Sequence, residues 1–158
     1  MLIAWHSRTG AAEAMARAVA EGATLACAVR LVAACDVCEH DVLGAAGMVF
    51  VCPENLGTMS GIMKDMFDRL YYPALGRIEG RVYATAIAAG SDGSGAQAQI
   101  DRIVKGWRLR RVAEPIIVNL GAQTSSQILA IKTVPSPAIQ QCYELGHMLG
   151  EGLAIGIY

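Results

Sequence analysis

The chain has 158 residues, with 13 lysines and arginines against 14 aspartates and glutamates, and it is 54% hydrophobic. This length suits one domain with a core of its own, and a net charge of −1 excludes a nucleic-acid module, which needs a basic face to neutralise phosphates. The mean hydropathy of +0.38 raises the question of a membrane span, but no apolar run reaches the roughly 18 to 20 residues needed. The longest uncharged run, Pro115 to Ile131, is broken by Asn119, Gln123, Thr124, Ser125, Ser126 and Gln127. The start also lacks the basic segment and apolar stretch of a secretion signal. The expectation is a cytoplasmic protein without nucleic-acid or membrane partners, its apolar excess buried in strands covered on both faces.

Leu2-Ile3-Ala4-Trp5-His6 reads as a first strand that turns through Ser7-Arg8-Thr9-Gly10 into a helix from Ala11 to Glu21. Such a strand, turn and immediate helix form an anion grip. The helix start offers unpaired N–H donors and the positive end of its dipole. Ser7 and Thr9 add hydroxyl donors, and Gly10 permits a close backbone approach. On these residues alone an ordinary N-capped helix that binds nothing is an equal alternative. Glu13, Arg17 and Glu21 make one solvated stripe along the helix, and Gly22 follows as a natural stop.

Leu25 to Val32 reads as the second strand, with Arg30 at an exposed end, and Glu39 to Ala45 as a short helix. Between them lies Cys35-Asp36-Val37-Cys38. Five cysteines form no even disulfide framework, and a single C-x-x-C lacks the second pair that zinc needs. Two reduced thiols after a strand are therefore expected. Gly47 to Cys52 is a continuous apolar run ended by Pro53, the pattern of a central parallel strand. The loop Pro53-Glu54-Asn55-Leu56-Gly57-Thr58-Met59 leads to a helix over Ser60 to Tyr71. Its Ile62, Met63, Met66, Phe67 and Leu70 recur at core spacing, with Lys64, Asp65, Asp68 and Arg69 on the other side.

Arg81 to Ala89 reads as the fourth strand and runs into Gly90-Ser91-Asp92-Gly93-Ser94-Gly95. A turn so rich in glycine serves a close backbone approach or a tight connection. A helix from Ala96 to Trp107 follows, ended favourably by the basic cluster Lys105 to Arg111. Pro115 to Val118 is the fifth strand, Asn119 to Val134 a long connection, and Ser136-Pro137 starts a last helix reaching Leu149.

The alternation βαβαβαβαβα implies an α/β fold, a doubly wound parallel sheet with right-handed crossovers and helices on both faces. Ligands of such folds bind outside the carboxyl ends of the strands, where the winding order reverses. The polar and glycine-rich loops follow strands one, three and four. In the order 2-1-3-4-5 those strands are neighbours, so the loops converge. The first loop contains neither G-x-x-x-x-G-K-[ST] nor G-x-G-x-x-G, which excludes a P-loop NTPase and disfavours a dinucleotide on the first crossover.

Ser7-Arg8-Thr9-Gly10-Ala11-Ala12 resembles the Ser/Thr-x-Thr-Gly-x-Thr phosphate loop of the flavodoxin-like superfamily of FMN proteins, with Ala12 in place of the last hydroxyl. The stretch from Pro53 to Asp68 is similar to NAD(P)H-dependent FMN reductases and related quinone reductases. These carry Pro-Glu-Tyr-Asn, then Gly-x-Leu-Lys-Asn and a further Asp, at the same spacing. Pro53, Glu54, Gly61, Lys64 and Asp68 match, while Asn55 and Leu56 replace Tyr-Asn. The motifs span residues 3–12 and 48–70, with weaker support at 89–95. The resemblance implies a single three-layer flavodoxin-like domain over 1–158 with a five-stranded parallel sheet in the order 2-1-3-4-5.

It further implies FMN as cofactor and NAD(P)H as electron donor. The FMN phosphate is expected on Ser7, Arg8, Thr9, Gly10, Ala11 and Ala12, where the charge of Arg8 can replace the missing hydroxyl. Pro53, Glu54, Asn55, Leu56 and Gly57 are expected at the pyrimidine edge and N5 region, and Gly90, Ser91, Asp92 and Gly93 on the other side. No general acid or base is demanded; His6 and Asp92 are the residues with suitable chemistry. In this superfamily electron carriers sandwich the flavin between aromatics and carry strong negative charge. Neither Pro53–Met59 nor Gly90–Gly95 has an aromatic, and the net charge is only −1. Reduction of a small-molecule flavin or quinone acceptor is therefore favoured over a flavodoxin-type electron carrier, and both over a non-catalytic binding module. Asn119–Val134 and Tyr71-Tyr72-Pro73 are candidate contacts of a homodimer or higher homo-oligomer.

Overall fold

A computed structural model describes residues 1–158. The apolar runs of the sequence become the strands β1 (Leu2–Trp5), β2 (Arg30–Ala33), β3 (Gly47–Asn55), β4 (Thr58–Met59), β5 (Val82–Ala89), β6 (Arg110–Arg111) and β7 (Ile116–Asn119). The helices are α1 (Ala11–Ala23), α2 (Glu39–Gly44), α3 (Gly61–Ala74), α4 (Ser94–Gly106), α5 (Ser125–Leu129) and α6 (Ser136–Ala154).

The parallel sheet runs β2-β1-β3-β5, and β6 and β7 share the outer edge of β5. β6 pairs with Val82 and Tyr83 at the start of β5, and β7 with Ala86 to Ala89 at its end. The expected order 2-1-3-4-5 holds, with the fifth strand in two pieces. Pro115 has no N–H to give to the ladder, which accounts for a break before Ile116. All eight residues of β5 are buried, as a strand covered on both faces requires.

Each face of the sheet carries its own core. On one face Phe50 of β3 packs on Phe67 of α3 with ring centroids 4.8 Å apart, and Trp107 lies edge-on to Phe67 at 5.2 Å. Met63 and Met66 are buried in the same cluster, so the methionine stripe of α3 is core. On the other face Ile3, Val49 and Val51 meet Met15, Val19, Leu145 and Leu149 of α1 and α6. No helix is long and apolar enough to cross a membrane.

Several boundaries differ from the sequence reading. The second strand covers only Arg30–Ala33, because α1 continues past Gly22 to Ala23 and Leu25 lies exposed in the turn beyond it. Gly22 does not stop the helix. A Cβ there would overlap the carbonyl of Tyr143 in α6, and one at Gly146 would overlap the carbonyl of Val19. These glycines let the two helix backbones touch. The third strand runs on through Pro53 to Asn55 and folds back as β4, with Glu54 opposite Met59 and Asn55 opposite Thr58. α3 continues to Ala74, with Pro73 in its last turn, and α4 starts at Ser94 within the glycine-rich loop. Of the basic cluster only Lys105 lies in the last turn of α4. Arg108 pairs with Glu79 at 3.1 Å, Arg110 and Arg111 form β6, and Arg111 pairs with Asp101 at 3.1 Å. The long connection contains α5, and α6 extends past Leu149 to Ala154.

Candidate functional site

The loops after β1, β3 and β5 sit at the carboxyl ends of three adjacent strands. In the first, Gly10 takes φ +91°, a left-handed conformation that glycine adopts without penalty. It stands at the N-cap of α1, and no side chain caps that helix. The first intrahelical bond runs from Ala14 N–H to Gly10 O at 3.0 Å, so the N–H groups of Ala11, Ala12 and Glu13 have no partner within the helix. Gly10 N–H itself donates to Ser7 Oγ at 3.1 Å, which leaves the Ser7 hydroxyl proton free to donate outward. Ala11 and Ala12 are buried and Arg8 is exposed. The N-cap alternative for Ser7 and Thr9 is not what the chain adopts. Its donors remain directed at an open helix start of thirteen residues, the arrangement that suits a phosphate monoester.

The second loop is a β-hairpin. Leu56 at φ +52° and Gly57 at φ +74° form its two-residue turn, the doubly positive geometry that matches strand twist. Glu54 does not point away from the protein. Its Oε2 accepts from Gly93 N–H at 2.7 Å and its Oε1 from Ala96 N–H at 3.2 Å, so the carboxylate caps α4. A Cβ on Gly95 would overlap the Gly57 carbonyl, so the hairpin backbone lies directly on α4. Asn55 is half-buried, and Leu56 stands fully exposed.

In the third loop Gly93 takes φ +100° at the N-cap of α4, and a Cβ there would overlap Ile117. Asp92 is exposed and accepts from Ser94 N–H at 3.3 Å and from the Ser94 hydroxyl at 2.6 Å. Ser91 is exposed, and its carbonyl accepts from the Asn119 amide.

Three further links close the ring, and none was legible in the sequence. His6 Nδ1 shares a 2.8 Å hydrogen bond with the hydroxyl of Ser60, a buried residue at the N-cap of α3. Burial, then the nearby Arg8 charge, hold the His6 pKa below the usual imidazole value. Ala122 N–H donates to Gly90 O at 2.9 Å, and Lys132 N–H to Thr9 O at 2.8 Å. The segment after β7 therefore straps the third loop to the first. The Lys132 ammonium folds back onto the carbonyls of Gln127, Ile128 and Ala130, at the end of α5.

Other residues singled out from the sequence lie elsewhere. Lys64 and Asp68 form an exposed ion pair on α3, at 2.6 Å. Cys35 and Cys38 are exposed and unpaired, and no cluster of three or more His, Cys, Asp or Glu side chains gathers for a metal. A cavity of about 610 Å³ bounded by Leu43, Arg81, Leu153 and Tyr158 lies at the amino ends of β3 and β5, opposite these loops.

Residues 33–115, just over half of the chain, match the family model described as NADPH-dependent FMN reductase. A flavodoxin from Aquifex aeolicus is 34% identical over 97 residues, 60% of this chain and 52% of that protein; the chain thus matches about half the length of this relative. Among solved structures, a flavodoxin from the domain Archaea superposes with a TM-score of 0.75 at 18% identity, covering 96% of both chains. A flavodoxin, WrbA-like protein from Agrobacterium tumefaciens gives 0.73 at 15% identity, over 98% of this chain and 96% of that one. The flavodiiron protein from Giardia intestinalis gives 0.78 at 19% identity, with 98% of this chain on 36% of the other. At these identities the structures establish a shared flavodoxin-like fold.

Proposed function

The chain belongs to the NADPH-dependent FMN reductase family, and from that premise we propose that it binds FMN across its three linked loops and passes electrons from NAD(P)H to a small-molecule flavin or quinone acceptor. The observation that carries this reading is the open, uncapped start of α1, with Gly10 at φ +91°, tied into one unit with the hairpin and the Gly90–Gly93 turn. The N–H groups of Ala11, Ala12 and Glu13 would hold the phosphate, aided by Ser7, Thr9 and the Arg8 charge. Because backbone donors supply most of the grip, the missing hydroxyl at Ala12 removes one contact rather than the site.

Glu54 serves this function indirectly. By capping α4 it sets the spacing between the hairpin and the third loop, whose Gly90 to Gly93 backbone would hold the flavin edge. FMN, when bound, would supply the two-electron redox chemistry. Burial, then the Arg8 charge, lower the pKa of half-buried His6, which disfavours a positive charge on its imidazole. Neither Pro53–Met59 nor Gly90–Gly95 contains an aromatic residue, which would leave a bound flavin open to stacking by a nicotinamide or acceptor.

The test is to titrate FMN into the purified protein and follow quenching of flavin fluorescence, then mix the loaded protein rapidly with NADPH or NADH. Loss of flavin absorbance with one nucleotide, restored by a quinone, is expected. Flavin binding with no bleaching by either nucleotide would instead favour an electron carrier, the reading that the flavodoxin relative supports.

A further inference from the structure

The helices α3 and α4 cover the same face of the sheet, yet a groove of about 440 Å³ opens between them, a size that takes a small organic ligand. Phe67, Ile103 and Trp107 form its apolar side. Phe67 and Trp107 are buried and stand edge to face, so this side is an aromatic surface. The groove shares no residue with the loops after β1, β3 and β5.

The polar groups around that surface are of one kind. Both carboxylate oxygens of Asp68 are taken by the Lys64 ammonium, at 2.7 and 2.6 Å. Gln99 Oε1 accepts from Met59 N–H at 3.0 Å, which leaves only its amide N–H donors for the groove. Arg102 lines the groove, is exposed, and makes no hydrogen bond or ion pair within the chain. The Nε1–H of Trp107 is buried without an acceptor, a cost that a packed core normally avoids. Side-chain acceptors here are committed, and donors are in surplus.

An anion answers that surplus. A carboxylate takes two parallel N–H bonds from a guanidinium, and Gln99, three residues before Arg102, lies on the same face of α4. The carboxyl end of α4 at Gly106 repels negative charge. The anionic group therefore belongs beside Gln99 and Arg102, and the rest of the ligand over the aromatic surface. We propose that this groove binds a small aromatic carboxylate, its acid group held by Arg102 and Gln99 and its ring laid on Phe67, Ile103 and Trp107. Its occupation requires no flavin.

The chain has two tryptophans, so the indole N–H signals of nitrogen-15-labelled protein are told apart with Trp5→Phe. Titration with 2-naphthoate should move the Trp107 signal saturably, at one molecule per chain. Naphthalene-2-carboxamide keeps the ring without the charge and should bind about tenfold more weakly, the worth of a charge-assisted pair. Arg102→Gln alters an exposed side chain without partners. It should keep the melting temperature, weaken 2-naphthoate about tenfold and leave the carboxamide unchanged. No saturable shift below millimolar concentration, equal affinity for the two probes, or an equal loss of both in Arg102→Gln overturns the proposal. Shifts confined to residues 7–12 and 90–93 and reversed by FMN place the probe in the flavin loops instead, and overturn it too. Sedimentation of the same samples tests the other occupant: self-association that 2-naphthoate or Arg102→Gln disrupts makes the groove a contact between copies, which also overturns the proposal.

Discussion

His6 shows how one residue couples the loops to solution conditions. Its imidazole joins the end of β1 to the start of α3 through Ser60, and burial followed by the Arg8 charge lowers its pKa. A histidine whose folded pKa lies below its unfolded value stabilises the fold above the unfolded value, about 6.5, and loses that contribution as pH falls through the lower folded value. Thermal melts of the ligand-free protein should therefore shift to lower temperature between pH 7 and pH 5. His6→Gln keeps a polar group near Ser60 and should flatten that part of the profile; an unchanged slope would assign it to other groups. Glu54 is the second residue of this kind. Glu54→Ala removes the acceptor for two N–H groups at the start of α4 and should cost about 1–2 kcal/mol in chemical denaturation. It should also weaken FMN binding, because the hairpin and third loop lose the bridge between them. Glu54→Gln, which keeps one acceptor, should lose less of each.

At the level of elements, α1 and α6 illustrate how small residues decide geometry. Gly22, Gly146 and Gly150 line the contact, and each faces backbone of the opposite helix where a Cβ would overlap or crowd it. Gly146→Ala gains helix propensity, about 1 kcal/mol in an exposed helix. It also forces the helices apart by overpacking, which costs about 1–3 kcal/mol. The net expectation is a lower unfolding midpoint, and an unaffected midpoint would show that α6 can shift without loss. α1 also carries the N-terminus proposed to hold the FMN phosphate, so a displaced α1 should bind FMN more weakly. The hairpin β3–β4 and the strap through α5 are smaller elements with a comparable role, since each joins loops that the sheet only brings near one another.

For the whole molecule, the ring of contacts has a thermodynamic consequence. His6–Ser60, Glu54–Gly93, Ala122–Gly90 and Lys132–Thr9 connect four segments at the carboxyl ends of the strands. A ligand that engages these loops stabilises the folded state as a unit, by about 2.7 kcal/mol at a free concentration one hundred times its Kd. FMN should therefore raise the melting temperature in a concentration-dependent way, whereas riboflavin, which lacks the phosphate, should do so much less. Equal shifts from both would place the binding energy in the ring-facing loops rather than at the start of α1.

The sequence by itself determined the layered fold and the set of loops. Apolar runs such as Gly47 to Cys52 and the spacing of Met63, Met66 and Phe67 are local signals, and burial on both faces of a parallel sheet leaves few other solutions. Ser7 to Gly10 and Gly90 to Gly93 were visible for the same reason, since hydroxyls and glycines at a strand end mark a backbone that must turn sharply. Tertiary structure alone decided what each residue in those loops does. Glu54 finds its partners 39 and 42 positions away, Gly22 meets a helix more than a hundred residues further on, and Lys132 docks on Thr9 from the far end of the chain. The break in the fifth strand, the hairpin at Leu56 and the strap over the loops likewise depend on neighbours brought together only by the sheet. Propensity and spacing describe the chain within a turn or two, whereas a carboxylate's choice between solvent, cofactor and a helix start depends on what packing places beside it.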